Sequence, residues 1–521
     1  KGLLLLNEKT NKKAYYSTRN SKLNTSYIAS CFHDKHDDFW LITSKRGITR
    51  FEVKKRKFTN YPLNPEIRQS ILEGEKQQFC EDKNGDLWIS IYGGGISKFN
   101  RETETFEQYL HDENNPGSLS SNLILSLYCD KSGNIWAGSY KRGINKINLH
   151  RSHFHSLQLN KSETKDFSNE VRAIFEDSRK WIWTGNKQGD IVVFDQNMHK
   201  LFALNDLNVP EKITSGIYTF EEDKQHRIWI GTKGQGIYII ENLPSKISLI
   251  PGFRLKYSHL TRSKKNNTLT HNAVFDLHED QSGQMWVALY HGGINVIQNP
   301  LQASQRILEY VQNNKDTFSI SDDRVRCISE DKAGNMWLGT VKGLNFLEAK
   351  YKNSDNKKFK VITPSNLKSF ANYDIVKIYQ SSQGKIWIGT YGEGAFCLSP
   401  PHGRLKPGRQ GEIGKITPVN DLSSNLVFSF IEDNNKNLWI GTDFGLNKLT
   451  SGKTEKFYDV SGLTENSFSE GKGIKTSKGN IIFGHISGMV WFSPNSIHKS
   501  IQKVPVVLTR LTINGENNKE K

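Results

Sequence analysis

Methionine is rare in this chain of 521 residues, at 4 copies, and cysteine occurs 5 times, as Cys31, Cys80, Cys129, Cys327 and Cys397. The odd count and the lack of any Cys-x-x-Cys pair argue against a disulfide framework and a thiolate metal centre. Each cysteine lies in an apolar stretch, where a thiol acts as a small buried hydrophobe, so all are expected in the core. No run of 18 apolar residues occurs, which excludes a transmembrane helix within this sequence. No secretory leader opens the chain: residue 1 is lysine, and Gly2 to Leu6 fall inside a repeating motif, not ahead of it. A piece of a longer protein is expected. Nucleophile-elbow, zinc-protease and phosphate-loop motifs are missing, and the 15 histidines are scattered. These absences predict no catalytic residues, no metal site and no cofactor.

Glycine, by contrast, appears 42 times and tryptophan 11 times, a composition that favours strands and turns over helices. The length exceeds what one hydrophobic core supports, so two or more domains are expected. Lys and Arg number 71 against 54 Asp and Glu, a net +17 that fits either an anionic partner or a merely soluble basic surface. Residues 1–150 hold 23 basic and 17 acidic side chains, so the excess is diffuse and nucleic-acid binding is not expected. The densest run, Lys54-Lys55-Arg56-Lys57, reads as a solvated turn.

The tryptophans are periodic. Trp40, Trp88, Trp136, Trp183, Trp229, Trp286, Trp337, Trp387 and Trp439 stand 46 to 57 residues apart, and a tenth copy has Ile482 in the tryptophan's place. Six residues earlier stands an aspartate in eight of nine copies, Ser381 being the exception. Gly138, Gly185, Gly231, Ala288, Gly339, Gly389 and Gly441 follow two residues later. The Trp136 copy parses into strands at 123–128, 135–139 and 144–147 with a more polar fourth around Phe154. A four-stranded unit of this period with one tryptophan is the pattern of a β-propeller blade. The tryptophan then fills the space between sheets, and the aspartates serve turns in preference to catalysis.

Glu330-Asp331-Lys332-Ala333-Gly334-Asn335-Met336-Trp337-Leu338-Gly339-Thr340 and Asn437-Leu438-Trp439-Ile440-Gly441-Thr442 resemble the two-component-regulator propeller repeat. The tail from Val504 to Gly515 resembles the opening strand of the Ig-like domain that follows such propellers. The resemblance implies an all-β fold: residues 1–159 as the last blades of an incomplete first propeller, 160–502 as a complete seven-bladed one, and 503–521 as the start of the Ig-like domain. An open first ring would expose a sheet face, so further blades are expected in the native protein. The resemblance also implies the periplasmic sensing region of a hybrid histidine kinase anchored in the inner membrane, homodimeric, and binding an oligosaccharide to control glycan-utilisation genes.

In propellers the turns between second and third strands gather on one face around the axis, where loops on a rigid scaffold carry binding residues. These turns hold Lys45, Arg46, Tyr92, Tyr140, Lys141, Arg142, Lys187, Lys233, Tyr290, His291, Lys342, Tyr391 and His485. Aromatic rings stack on sugars, and Arg or Lys pairs with carboxylate or sulfate, so an acidic or sulfated oligosaccharide is the expected ligand. Exposed turns tolerate polar residues in any case. A polysaccharide lyase or hydrolase using Tyr290 and His291, and a non-catalytic protein–protein scaffold, are the alternatives.

Overall fold

The computed structural model describes all residues except 1, 7–9, 26, 44–46, 62–76, 84, 92, 114–116, 131–132, 150–153, 160–168, 208–210, 242, 244–254, 265–266, 356, 365, 399–415, 459–465, 498–511, 514–515 and 518–521. Eight of the repeats fold around the same local device. In the Trp337 repeat, Asp331 Oδ1 accepts the backbone amides of Ala333 and Asn335, both at 2.9 Å, and Oδ2 accepts the Trp337 indole N–H at 3.0 Å. One carboxylate therefore closes the turn and orients the tryptophan. The same indole bond, between 2.7 and 3.1 Å, recurs at Trp40, Trp88, Trp136, Trp183, Trp229, Trp286 and Trp439. The aspartates are structural. Ser381, with one oxygen in place of two, accepts only the Lys385 amide at 3.2 Å, and Trp387 is 9% exposed where its counterparts in the neighbouring repeats are sealed. In the last repeat Thr476 takes the turn, and Ile482 has no indole to satisfy.

Apart from Trp136, each repeat tryptophan is buried against the following sheet. Trp183 packs among Ile217, Phe220, Ile228 and Ile230 of the next repeat. The small residue two positions later permits this approach: a Cβ added at Gly185 would lie 2.5 Å from the Cβ of Ile217.

The chain divides into two compact units, Lys1–Ser152 with His498–Lys521, and His153–Ile497. Among the described residues the second unit contains seven four-stranded antiparallel sheets. Six of them open with the inner strands Val171–Glu176, Ile217–Glu222, Val274–Glu279, Val325–Glu330, Ile375–Gln380 and Val427–Glu432. Each inner strand packs on the next, and the seventh sheet packs back on Val171–Glu176. The ring is closed by a strand from the other end of the unit: His155–Leu157 pairs antiparallel with Gly488–Phe492. This corrects the assignment of the strand around Phe154 to the Trp136 repeat, and it draws residues 153–159 into the second unit. Order in sequence suggested the former pairing, but the free outer edge of the last sheet is what needs a partner. Phe154 adds an edge-on contact to Phe492 at 4.9 Å.

In the first unit, two four-stranded sheets (Ile28–Tyr61 and Gln77–Tyr109) and the three-stranded sheet Ile124–Asn148 follow one another. The hairpin of Leu3–Leu6 with Lys13–Tyr16 packs on the first of them, Tyr16 lying 4.9 Å from Phe51. On the three-stranded sheet, Trp136 is 37% exposed beside exposed Tyr128 and Ile144, because no described sheet follows to cover it. No disulfide joins the cysteines; Cys80 and Cys327 are buried, but Cys31 is exposed, contrary to the expectation of a core position. The strand Ile28–His33 alternates half-buried and exposed positions, and Cys31 falls on the exposed set. The expected Ig-like strand lies largely outside the described residues, which retain only Thr512–Ile513 paired with Glu516–Asn517. No helix among the described residues is long and apolar enough to cross a membrane.

Candidate functional site at the mouth of the second ring

The first two residues of each inner strand shape the site. The six inner strands named above each carry a β-bulge between their first and third residues, and the short seventh, Ile474–Lys475, does not. The residue left without a ladder partner is Arg172, Tyr218, Phe275, Arg326, Val376 or Phe428. A bulge bends the strand and re-aims a side chain. Here these six side chains, with Glu470 from the seventh repeat, line one small cavity of ≈ 50 Å³ at the end of the axial channel. The second-to-third turns are pinned to the same end. The first residue of each turn donates to the residue ahead of the inner strand, as Lys187 to Glu170, Lys233 to Gly216, Tyr290 to Ala273 and Tyr391 to Asp374, at 2.9–3.0 Å.

Two arginines and three carboxylates organise the mouth. Arg326 donates to Glu470 at 2.6 Å and to Asp374 at 2.8 Å, while Arg172 donates to Glu170 at 2.8 Å and lies 3.5 Å from the other oxygen of Glu470. Glu470 thus bridges both guanidinium groups. Burial opposes each cation, but Tyr218 and the carboxylates at Arg172, and the carboxylates at Arg326, outweigh it and raise both arginine pKa values. Aromatic rings frame the pairs. Arg326 sits 5.8 Å from the Tyr290 ring and 5.5 Å from that of Tyr391; Arg172 sits 5.1 Å over Tyr218, donating to its hydroxyl at 3.2 Å. Tyr290 stacks on Phe275 at 4.8 Å, and Tyr391 stays 50% exposed at the rim.

The channel narrows below. Lys472 pairs with Asp276 at 2.5 Å and donates to Thr219 at 2.9 Å, and Lys377 lines the same waist. Burial pushes Asp276 up, but Lys472 and Lys377 outweigh it and hold the carboxyl below its ordinary range. Burial and then Lys472 depress Lys377, and burial pushes the Cys327 thiol up to about 12, so it is inert. Beyond the waist a second cavity of ≈ 330 Å³ holds His278 between Glu221 at 3.7 Å and Glu330 at 3.3 Å. Among the described residues no group of His, Cys, Asp and Glu is arranged to hold a metal.

The residues expected from the turns meet different fates. Tyr290 and Tyr391 reach the mouth, with exposed His291 4.7 Å from Tyr290. Lys187 joins its edge through Glu170 at 3.4 Å, and Lys342 is held by Asp322 at 3.5 Å. Lys233 is exposed. His485 is corrected from turn to core: it is 1% exposed at the end of Ile481–His485, because that strand continues its pairing to Gly488. Tyr140, Lys141 and Arg142 belong to the first unit, all exposed, with the Lys141 ammonium 5.1 Å from the Tyr140 ring. Lys45, Arg46 and Tyr92 lie outside the described residues. Arg172, Tyr218, Phe275, Arg326, Phe428 and Glu470 were not singled out from the sequence. For all but Glu470, which precedes the last inner strand, the signal is a column of arginines and aromatics at the second position of the inner strands.

Residues 118–141, 212–234, 319–342, 369–392 and 421–444 match the two component regulator propeller family. The chain carries two-component-regulator propeller repeats. These regulator repeats occur in both units, and the four in the second unit include the turns that end at Tyr391 and Phe444. Histidine kinase P4 of Formosa agariphila is 23% identical over 382 residues, which cover 70% of this chain and 25% of that protein. The chain thus spans a quarter of the length of the curated relative it matches. An extracellular domain assigned to a hybrid two-component system of B. thetaiotaomicron aligns over 99% of this chain and 76% of its own, at 22% identity and a TM-score of 0.57. A second such domain from B. thetaiotaomicron aligns over 99% of this chain and 70% of its own, at 19% identity and a TM-score of 0.51. At these identities the likeness to the solved structures is one of fold.

Proposed function

We propose that this chain is the extracytoplasmic ligand-sensing region of a two-component sensor kinase and that its ligand is an oligosaccharide. The observation that carries the reading is the mouth of the second ring, where bulges aim arginines and aromatic rings at one point beside exposed Tyr391. Planar polar groups beside aromatic faces suit a sugar, whose hydroxyls need hydrogen bonds and whose C–H faces stack on rings. The regulator-propeller repeats and the likeness to extracellular domains of two-component systems support a sensor. The region itself is non-catalytic, the full-length protein spans the inner membrane as a homodimer, and the periplasmic signal switches on genes for using the parent glycan. Binding favours one arrangement of the protomers, through a difference in affinity between two states.

Titration calorimetry of the intact chain against oligosaccharides from digested plant, algal and host glycans tests this. Saturable binding of one class, with the sugar recovered uncleaved, is the expected result. Cleavage during the titration would favour the lyase alternative, and silence across the panel would remove the sensor reading.

A further inference from the structure

Most of the cations that could recruit an acidic sugar to the second ring are already paired where they stand; Lys233 is exposed, and Lys377 on the cavity wall is depressed by burial and Lys472. Arg172 and Arg326 face Glu170, Glu470 and Asp374, and Lys472 is paired with Asp276. At the rim, Lys187 and Lys342 are held by Glu170 and Asp322. A carboxylate or sulfate approaching either arginine must displace a carboxylate or stand beside it, and a like charge in a half-buried site is rejected. A hydroxyl meets no such conflict, since it donates to Glu470 while accepting from a guanidinium. The cavity is also small. At ≈ 50 Å³, with Lys472, Lys377 and Asp276 across its floor, it admits the end of a chain and not a threaded strand.

We propose that the second ring recognises the terminal residue of an uncharged oligosaccharide, its hydroxyls seated among Arg172, Arg326 and Glu470 and its ring face on Tyr391. This rests on the oligosaccharide reading above and replaces, for this ring, the acidic ligand expected from the basic turns. The exposed Lys141 and Arg142 lie in the other unit and play no part in it.

The test titrates the intact chain, at low and high salt, with neutral oligosaccharides (xylo-, manno-, arabino- and gluco-oligosaccharides) and with oligogalacturonate, oligoalginate and sulfated galactan fragments. The inference expects a neutral sugar whose affinity changes by less than about twofold with salt. Tyr391→Ala, at a half-exposed position, is expected to weaken it about tenfold or more with an unchanged melting temperature. Glu470→Gln, which frees Arg172 and Arg326 from the carboxylate they share, is expected to gain binding of an acidic oligosaccharide that the parent chain ignores. Salt-sensitive binding of acidic sugars alone, lost in Tyr391→Ala, overturns the inference and leaves the sensor reading standing. Neutral binding untouched by both variants also overturns it, because the sugar then sits elsewhere. No binding of any sugar removes the reading and the inference together.

Discussion

Two carboxylate oxygens at Asp331 accept two turn amides and one indole, so this side chain joins a turn to the core. Asp331→Ala strands the Trp337 N–H in a buried site and opens the turn. We expect a loss of about 2–3 kcal/mol, read from urea denaturation. Ser381 is the natural counterpart of that deletion, and Ser381→Asp restores an acceptor for Trp387. A gain of about 1 kcal/mol is expected in the same measurement. Asp276 behaves differently, because its partner is a cation. Asp276→Asn leaves Lys472 uncompensated beside Lys377, with an expected cost of about 3 kcal/mol at neutral pH. The folded-state pKa of Asp276 lies below its ordinary value, so its contribution is present above pH about 4 and lost as pH falls through the folded pKa. Glu221, raised first by burial, works in the opposite sense, so its contribution declines as pH rises through its own range. The gap between the parent chain and Asp276→Asn should therefore shrink on acidification, as urea midpoints at neutral and acid pH would show. A gap constant with pH would mean that Asp276 acts through packing alone.

At the scale of elements, the bulges and the closing strand carry the most consequence. The bulge frees Arg172 and Arg326 from the ladder, and a strictly alternating strand would place them on a sheet face instead. The closing strand His155–Leu157 is short and holds the ring at one seam. Leu157 pairs with Met489 within it and packs on the cluster of Val171, Ile482 and Met489, so Leu157→Asp puts a charge into that contact and loosens the seam. We expect a loss of about 2 kcal/mol in the second unit, and faster amide exchange along Gly488–Phe492 than along Met336–Thr340. Equal protection in both strands would show that the seam is not the weak point.

For the molecule as a whole, two compact units with separate cores are expected to unfold in two calorimetric steps. A ligand seated at the mouth of the second ring raises only the transition of that unit, by about 2.7 kcal/mol at a hundredfold excess over Kd. A uniform rise of both transitions would place the ligand against both units instead. Leu157→Asp provides the marker, since it lowers the transition that the ligand raises.

Most of the fold was legible because it is local and repeated: an aspartate, a tryptophan and a small residue at constant spacing write out one sheet, and their recurrence writes out the stack. Tyr290 and Tyr391 were legible for the same reason, since a turn at constant phase always falls at the same end of the channel. His485 was not, because one further pair of strand residues carried it from turn to core. Arg326, Glu470 and Asp374 were not legible either, being 48 and 144 residues apart along the chain. The amino-acid order alone determined what each unit of the repeat would become. Ring closure decided which distant charges face one another across the axis, and so whether an arginine at the mouth is free to take an anion or is already satisfied.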